Sequence, residues 1–402
     1  MSSHRHVPLS NLRAVVIVIV VAFHSVLAYL ASQPADPYPF DAAPYRWIAF
    51  PILDHGHWFG FDLFCAWQDV SLMSLMFLLA GIFTPISLSR KGALPYVIDR
   101  ARRIGLPFLL AVGLVSPLAY YASFRATAAD PSLDAFLHHW RALPMWPSGP
   151  AWFLWQLMLL STLAAALHFL FPGVGRRLEF TGRALQQRPF VFCLGLATLS
   201  LLAYVPLAMM FGPWDWTSVG PFSVQRCRPL HYAVYFFTGF ALGCADPNKS
   251  LNSDGALARQ WLFWVAAAIA AFALWGGLTS LTLPDWGNSP LLARLGAALA
   301  YPIACVTGAL GFLAIGLRLL TMRSRVLHSL SENAYSIYLI HYAPVVWLQY
   351  ALLGRDLPAP AKAATVFACA LATSWAVSAA VATLLRRRVE IAAKRATTDH
   401  LR

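Results

Sequence analysis

Two residues in the first apolar stretch, Leu9 to Leu30 (LSNLRAVVIVIVVAFHSVLAYL), have the means to do chemistry: Arg13 and His24. They stand eleven positions apart, which is about three helical turns, so a helix puts both on one stripe roughly 16 Å apart along the axis. A histidine near mid-depth of an apolar span is costly, and an imidazole is the commonest general base near neutral pH. Arg13 alone reads as a snorkelling topology anchor; on one stripe with His24 it reads as a partner in function. A second group is Asp99-Arg100-Ala101-Arg102-Arg103. Arg100 and Arg103 are i, i+3 neighbours on a helix, and two guanidinium forks side by side suit an anionic phosphate. The same run also reads simply as positive charge on the cytoplasmic side. A third is His341 in AYSIYLIHYAPVV, preceded by Tyr335, Ser336 and Tyr338 and followed by Pro344, which should loosen a helix there. It reads either as a satisfied core histidine or as a second intramembrane imidazole that orients a substrate or hydrogen-bonds the first.

Other candidates carry less. Asp54, His55 and His57 in DHGHW lack the remaining ligands of a metal site, so no metal is expected. His138 and His139 read as an exposed loop pair. Trp58, Trp146, Trp214 and Trp216 fit an interfacial aromatic belt first and a sugar-stacking surface second. Six cysteines include no CxxC; most read as small core residues, with a Cys65–Cys227 disulfide open between two segments expected outside. Acidic residues are nearly absent from the spans, which argues against a carboxylate proton relay of the pump type.

The elements that must position these residues are membrane helices. The 402 residues are 59% hydrophobic and only 12% charged, where a soluble domain is about a quarter charged. The expected fold is all-α: one polytopic transmembrane helical bundle over residues 1–402, with both termini cytoplasmic. Its ten spans fall at about 9–30, 70–88, 104–122, 152–171, 190–211, 230–245, 260–283, 291–317, 334–353 and 363–385. The 230–245 span is short. The first segment is too long in its apolar part for a cleaved signal peptide and is expected to stay as an anchor. Of the 30 Lys and Arg, most fall in the N-terminal region, the alternate loops that this topology puts inside, and the tail RRRVEIAAKRATTDHLR. That pattern matches the cytoplasmic leaflet and argues against nucleic acid as the reason for the net charge of +13.

With these residues in view, the chain resembles the acyltransferase 3 family of integral membrane acyltransferases, most nearly its glucan-modifying, succinyl-transferring branch. Arg13 and His24 reproduce the family's arginine, ten residues, histidine pattern. SLMFLLAGIF resembles its Phe-rich FxxSG segment, with Ala80 where serine is usual, and Arg100 to Arg103 matches RxxR. GPAWFLWQL, which contains Trp152, resembles the WFL start of a middle span, and YSIYLIH, ending at His341, resembles the late YLxH segment. The resemblance implies transfer of an acetyl or succinyl group from a cytoplasmic acyl-coenzyme A, a co-substrate and not a resident cofactor, to a hydroxyl of a cell-envelope glycan or glycolipid at the inner (plasma) membrane. It implies that His24 is catalytic with Arg13 as partner, that Arg100 and Arg103 meet the coenzyme phosphates, and that His341, Ser336 and Trp152 lie where substrate binds. A covalent acyl-enzyme and direct transfer both stay open. The alternative is a transporter or exporter of a glycan or lipid, which would more often show internal symmetry than this chain does.

Overall fold

The computed structural model describes residues 7–245, 251–283 and 285–399, with side chains described up to residue 384. Part of one loop expected inside (residues 246–250) and the side chains of the basic tail, on both of which the expected orientation draws, lie outside the described residues. The fold is a helical bundle. Among the described residues, eight helices are long and apolar enough to cross a bilayer: α1 (Val7–Tyr29), α2 (Phe59–Lys91), α3 (Ala93–Thr127), α5 (Gly149–Leu170), α7 (Pro189–Phe211), α9 (Trp261–Ser280), α10 (Leu291–Leu319) and the Ala359–Leu384 part of α13 (Ala359–Asp399). The short helices α4 (Leu133–Ala142) and α6 (Val174–Gln187) lie between them. The two remaining expected spans are helical but different in kind. α8 (Pro229–Cys244) has 16 residues, about 24 Å of rise. The ninth is a broken pair, α11 (Arg325–Ile340) and α12 (Tyr342–Ala351), hinged at His341.

The break has a clear origin. Pro344 has no N–H and crowds the carbonyl four residues back, which is that of Ile340, the last residue of α11. α3 is interrupted in the same way. Two π-helical turns, Ala101–Gly105 and Ala111–Val115, each precede a proline, Pro107 and Pro117. Such bulges re-aim side chains along a helix that otherwise runs on.

Helix packing follows the small residues. Gly81 on α2 and Gly239 on α8 allow backbone-to-backbone contact: a Cβ on Gly239 would sit 2.0 Å from the Leu78 carbonyl oxygen, and one on Gly81 2.0 Å from that of Phe236. α10 is the central helix, 78% of its apolar window buried, whereas α9 is peripheral at 17%. Many large apolar residues face outward, Leu194, Leu202 and Leu262 among them, as lipid contact requires. Asn11, buried on α1, donates to the carbonyls of Leu320 (2.8 Å) and Met322 (2.9 Å), so it satisfies orphan groups past the end of α10.

Three expectations need correction. The second helix starts at Phe59, not Val70. Its polar first turns are stabilised because Asp62 accepts from the backbone N–H groups of Ala31 (2.8 Å) and Ser32 (3.1 Å). Cys65 and Cys227 are both free; Cys227 is buried with its thiol toward the Pro213 carbonyl at 3.5 Å. The segment expected to be a plain loop after α7 contains a hairpin, β1 (Trp216–Val219) with β2 (Phe222–Gln225), in the register Trp216↔Gln225. Its two-residue turn starts at Gly220, whose φ of +58° suits glycine.

Candidate active site

Arg13, Arg100 and Arg103 line one cavity of about 600 Å³. Its wall is built from the first half of α1, the end of α2, the first π turn of α3, the start of α5 and α11. Most of the lining is apolar, with Val16, Ile17, Met76 and Leu157 among it, and among the described residues no acidic side chain takes part. Three cations gathered in an acid-free, largely apolar bore make a site for an elongated ligand with an anionic end.

The two arginines of the RxxR run are held differently. Arg103 is 73% exposed, and its Nε donates to Asp99 Oδ1 at 2.9 Å, so its terminal nitrogens remain to face a ligand. Asp99 is shared with Lys91 at 2.7 Å. Arg100 lies over the ring of buried Tyr96, 5.0 Å from its centre, and its Nε is buried without a protein partner. Pro107 cannot donate to the carbonyl of Arg103, four residues back; Tyr335 does so instead, its hydroxyl 2.6 Å away. The proline, the π turn and Tyr335 together fix where the arginines point. Arg13 lies near Phe83, 5.9 Å from its ring centre.

His24 stands on the same helix beyond the cavity. The lining on α1 ends at Ile17 and on α11 at Tyr338; His24 is seven residues, about 10 Å, further along α1. Val20, on the intervening turn, is buried. His24 is itself only half-buried, with Phe23 and Tyr342 edge-on to its ring at 4.9 and 5.5 Å. Its Nδ1 faces the Val20 carbonyl at 2.9 Å and His341 Nε2 at 3.2 Å. His341 is fully buried, and its Nδ1 faces the Tyr338 carbonyl at 2.7 Å. A carbonyl only accepts, so each Nδ1 carries the hydrogen. The lone pair of His341 Nε2 then receives the shared Nδ1–H of His24, and His24 Nε2 is left as a free base. Tyr338, between cavity and dyad, donates its hydroxyl to the Pro150 carbonyl.

Of the residues expected to bind substrate, the structure joins His341 to His24. The other two stand elsewhere. Ser336 is half-buried on α11, outside the cavity lining, which takes Ala334, Tyr335 and Tyr338 from that helix. Trp152 packs with Trp216 of the hairpin (5.6 Å) and Tyr232 of α8 (6.0 Å). Asp54 is engaged on both carboxylate oxygens by Lys362, at 2.9 and 2.8 Å.

Sequence reasoning missed three features. Gln349 of α12, 1% exposed, donates to the carbonyls of His24 (2.9 Å) and Ser25 (3.2 Å); an amide in the apolar run VVWLQYALL was the available signal. His231 of α8 is fully buried, with Ser74 Oγ at 3.2 Å and Ser200 Oγ at 2.9 Å on its two nitrogens. Beside it Arg228 is 3% exposed and bidentate to Asp69, both contacts 2.6 Å. Only the lone polar residues at the start of PLHYAVYFF hinted at that network.

A bundle of apolar helices long enough to cross a bilayer is the architecture of an integral membrane protein. The chain belongs to the acyltransferase 3 family: the family's acyltransferase domain matches residues 9–382, nearly the whole sequence. No curated protein and no solved structure matches it significantly.

Proposed function

We propose that this membrane acyltransferase moves an acetyl or succinyl group from acyl-coenzyme A, bound from the cytoplasm, to a hydroxyl of a cell-envelope glycan or glycolipid at the cytoplasmic membrane. The observation that carries the reading is the gathering of Arg13, Arg100 and Arg103 in one cavity with no acidic side chain among its described lining, Arg13 standing on the same helix as His24, about three turns before it. Arg100 and Arg103 hold the coenzyme phosphates at the mouth. The pantetheine arm runs along the apolar bore beside Arg13 to the end of its lining at Ile17 and Tyr338, and the thioester reaches His24 about 10 Å further along α1. Nε2 of His24 then takes the proton of the acceptor hydroxyl as that oxygen attacks the thioester carbonyl, and the coenzyme leaves as the thiol.

The test is transfer in reconstituted vesicles supplied with labelled acetyl- or succinyl-coenzyme A and an envelope glycan extract. Label should enter the glycan fraction. His24→Ala should reduce transfer at least about 100-fold, the usual scale of general-base catalysis, while the protein still inserts and purifies as a single species. Full activity of that variant would end the reading.

A further inference from the structure

We infer that His341 is the second proton holder of the reaction: it acts on the substrate only through His24, in the place where hydrolytic triads keep a carboxylate. The inference rests on the reading of His24 as the base. Its own support is geometric. His341 is fully buried, so it has no face to offer a glycan or an acyl chain. Both its ring nitrogens are committed, Nδ1 to the Tyr338 carbonyl at 2.7 Å and Nε2 to His24 Nδ1 at 3.2 Å. It sits in the one-residue gap between α11 and α12, where Pro344 has interrupted the helix. Gln349, two turns along α12, holds the backbone of His24 and Ser25. One broken element therefore fixes both the ring and the main chain of the base.

The proton balance follows from the tautomers. At rest both rings carry hydrogen on Nδ1. The acceptor O–H bond breaks as the new ester C–O bond forms, and the proton goes to His24 Nε2. His24 now has hydrogens on both nitrogens, and its Nδ1–H lies along the line to the lone pair of His341 Nε2. Transfer of that hydrogen makes His341 the imidazolium, donating from Nδ1 to Tyr338 and from Nε2 to His24. When the C–S bond breaks, the thiolate takes the hydrogen on His24 Nε2, and His341 returns its extra proton to His24 Nδ1. Nothing is consumed beyond alcohol and thioester, and both rings end as they began. The positive charge is moved one ring further from the reacting atoms without a carboxylate bonded to either ring among the described residues: two acids near the end of α1 are engaged elsewhere, Asp54 by Lys362 and Asp62 by the N–H groups of Ala31 and Ser32.

The experiment compares wild type with His341→Gln in vesicles, measuring kcat, both KM values and the proton inventory of kcat in mixed H2O and D2O. Gln can accept the His24 hydrogen bond but cannot take a proton. The expected result is a kcat loss of about 100-fold, both KM values within about twofold, and a curved inventory in wild type that becomes linear in the variant. If His341→Gln does not reach the membrane, His341→Asn, the shorter amide, takes the same measurements. An unchanged kcat overturns the inference. So does a raised acceptor KM at constant kcat, which would make His341 a substrate ligand, or an equal loss with an unchanged inventory, which would make it a packing residue. A wild-type protein that transfers no acyl group from either thioester would instead overturn the reading on which this inference rests.

Discussion

The two arginines of the RxxR run are unequal, and the inequality predicts how each fails. Arg103 is exposed and tethered by Asp99 through one nitrogen, so removing it leaves the local backbone in place. Arg100 is packed over Tyr96 with a buried Nε that has no protein partner, so it also fills space. A charge-assisted hydrogen bond contributes about 1.5–3 kcal/mol, so Arg103→Ala should raise the thioester KM roughly 10-fold or more with kcat little changed. Arg100→Ala should do the same and also lower the yield of folded protein. Steady-state kinetics with purified variants checks both, and an unchanged KM for Arg103→Ala would remove the phosphate assignment. That Arg13 and His24 share one stripe of α1 was legible because a straight helix has a fixed period. The places of Ser336 and Trp152 were not, because which way a side chain faces depends on helix rotation. At Trp152 a 3-10 turn, Gly149–Ala151, directly precedes it, and the ring ends against the hairpin.

Two of the elements that shape the site, α3 and the α11–α12 pair, depart from a regular helix, and a proline marks each departure. The π turn that aims the arginines is held where Tyr335 satisfies the Arg103 carbonyl left open by Pro107. Tyr335→Phe should therefore raise the thioester KM several-fold while leaving kcat intact, since the hydroxyl anchors the turn and does not reach the dyad. A fall in kcat at constant KM would show that the hydroxyl serves the chemistry instead. Helices were legible at all ten expected positions because apolar length is a strong signal in a chain with few charges. The early start of α2 was hidden by the polar residues Asp62, Gln68 and Asp69 in its first turns; Asp62 and Asp69 are held there by partners distant in sequence, the N–H groups of Ala31 and Ser32 and the guanidinium of Arg228. The hairpin was hidden because each of its two four-residue strands follows a GP turn signal, Gly212-Pro213 and Gly220-Pro221, so that the stretch reads as loop.

At the scale of the whole molecule, His24 lies where two packed regions meet. Val20 and Val21 belong to the large core around α2, α8 and α10, while Val26 and Tyr29 belong to a smaller aromatic core with Trp47, Tyr120 and Tyr342. The smaller core is tied to the last long helix by Asp54 and Lys362, whose side chains are 4% and 5% exposed. Asp54 N–H also donates to the Ala28 carbonyl at 3.0 Å, one turn past His24, so this ion pair sets how α13 and the loop after α1 close over the dyad. Losing one member of a buried pair leaves an uncompensated charge and costs about 3–5 kcal/mol, whereas replacing both with apolar residues of similar size is often neutral. Lys362→Met should then lower the thermal midpoint in detergent by roughly 5–10 °C, and Asp54→Leu combined with Lys362→Met should recover most of it. The double variant should recover less of its activity than of its stability, because the carboxylate also accepts from the Gly56 N–H at 2.8 Å and so shapes the loop beside the histidines. Equal thermal midpoints for the single variant and wild type would mean that the ion pair does not hold the two regions together, and full activity in the double variant would separate loop geometry from catalysis.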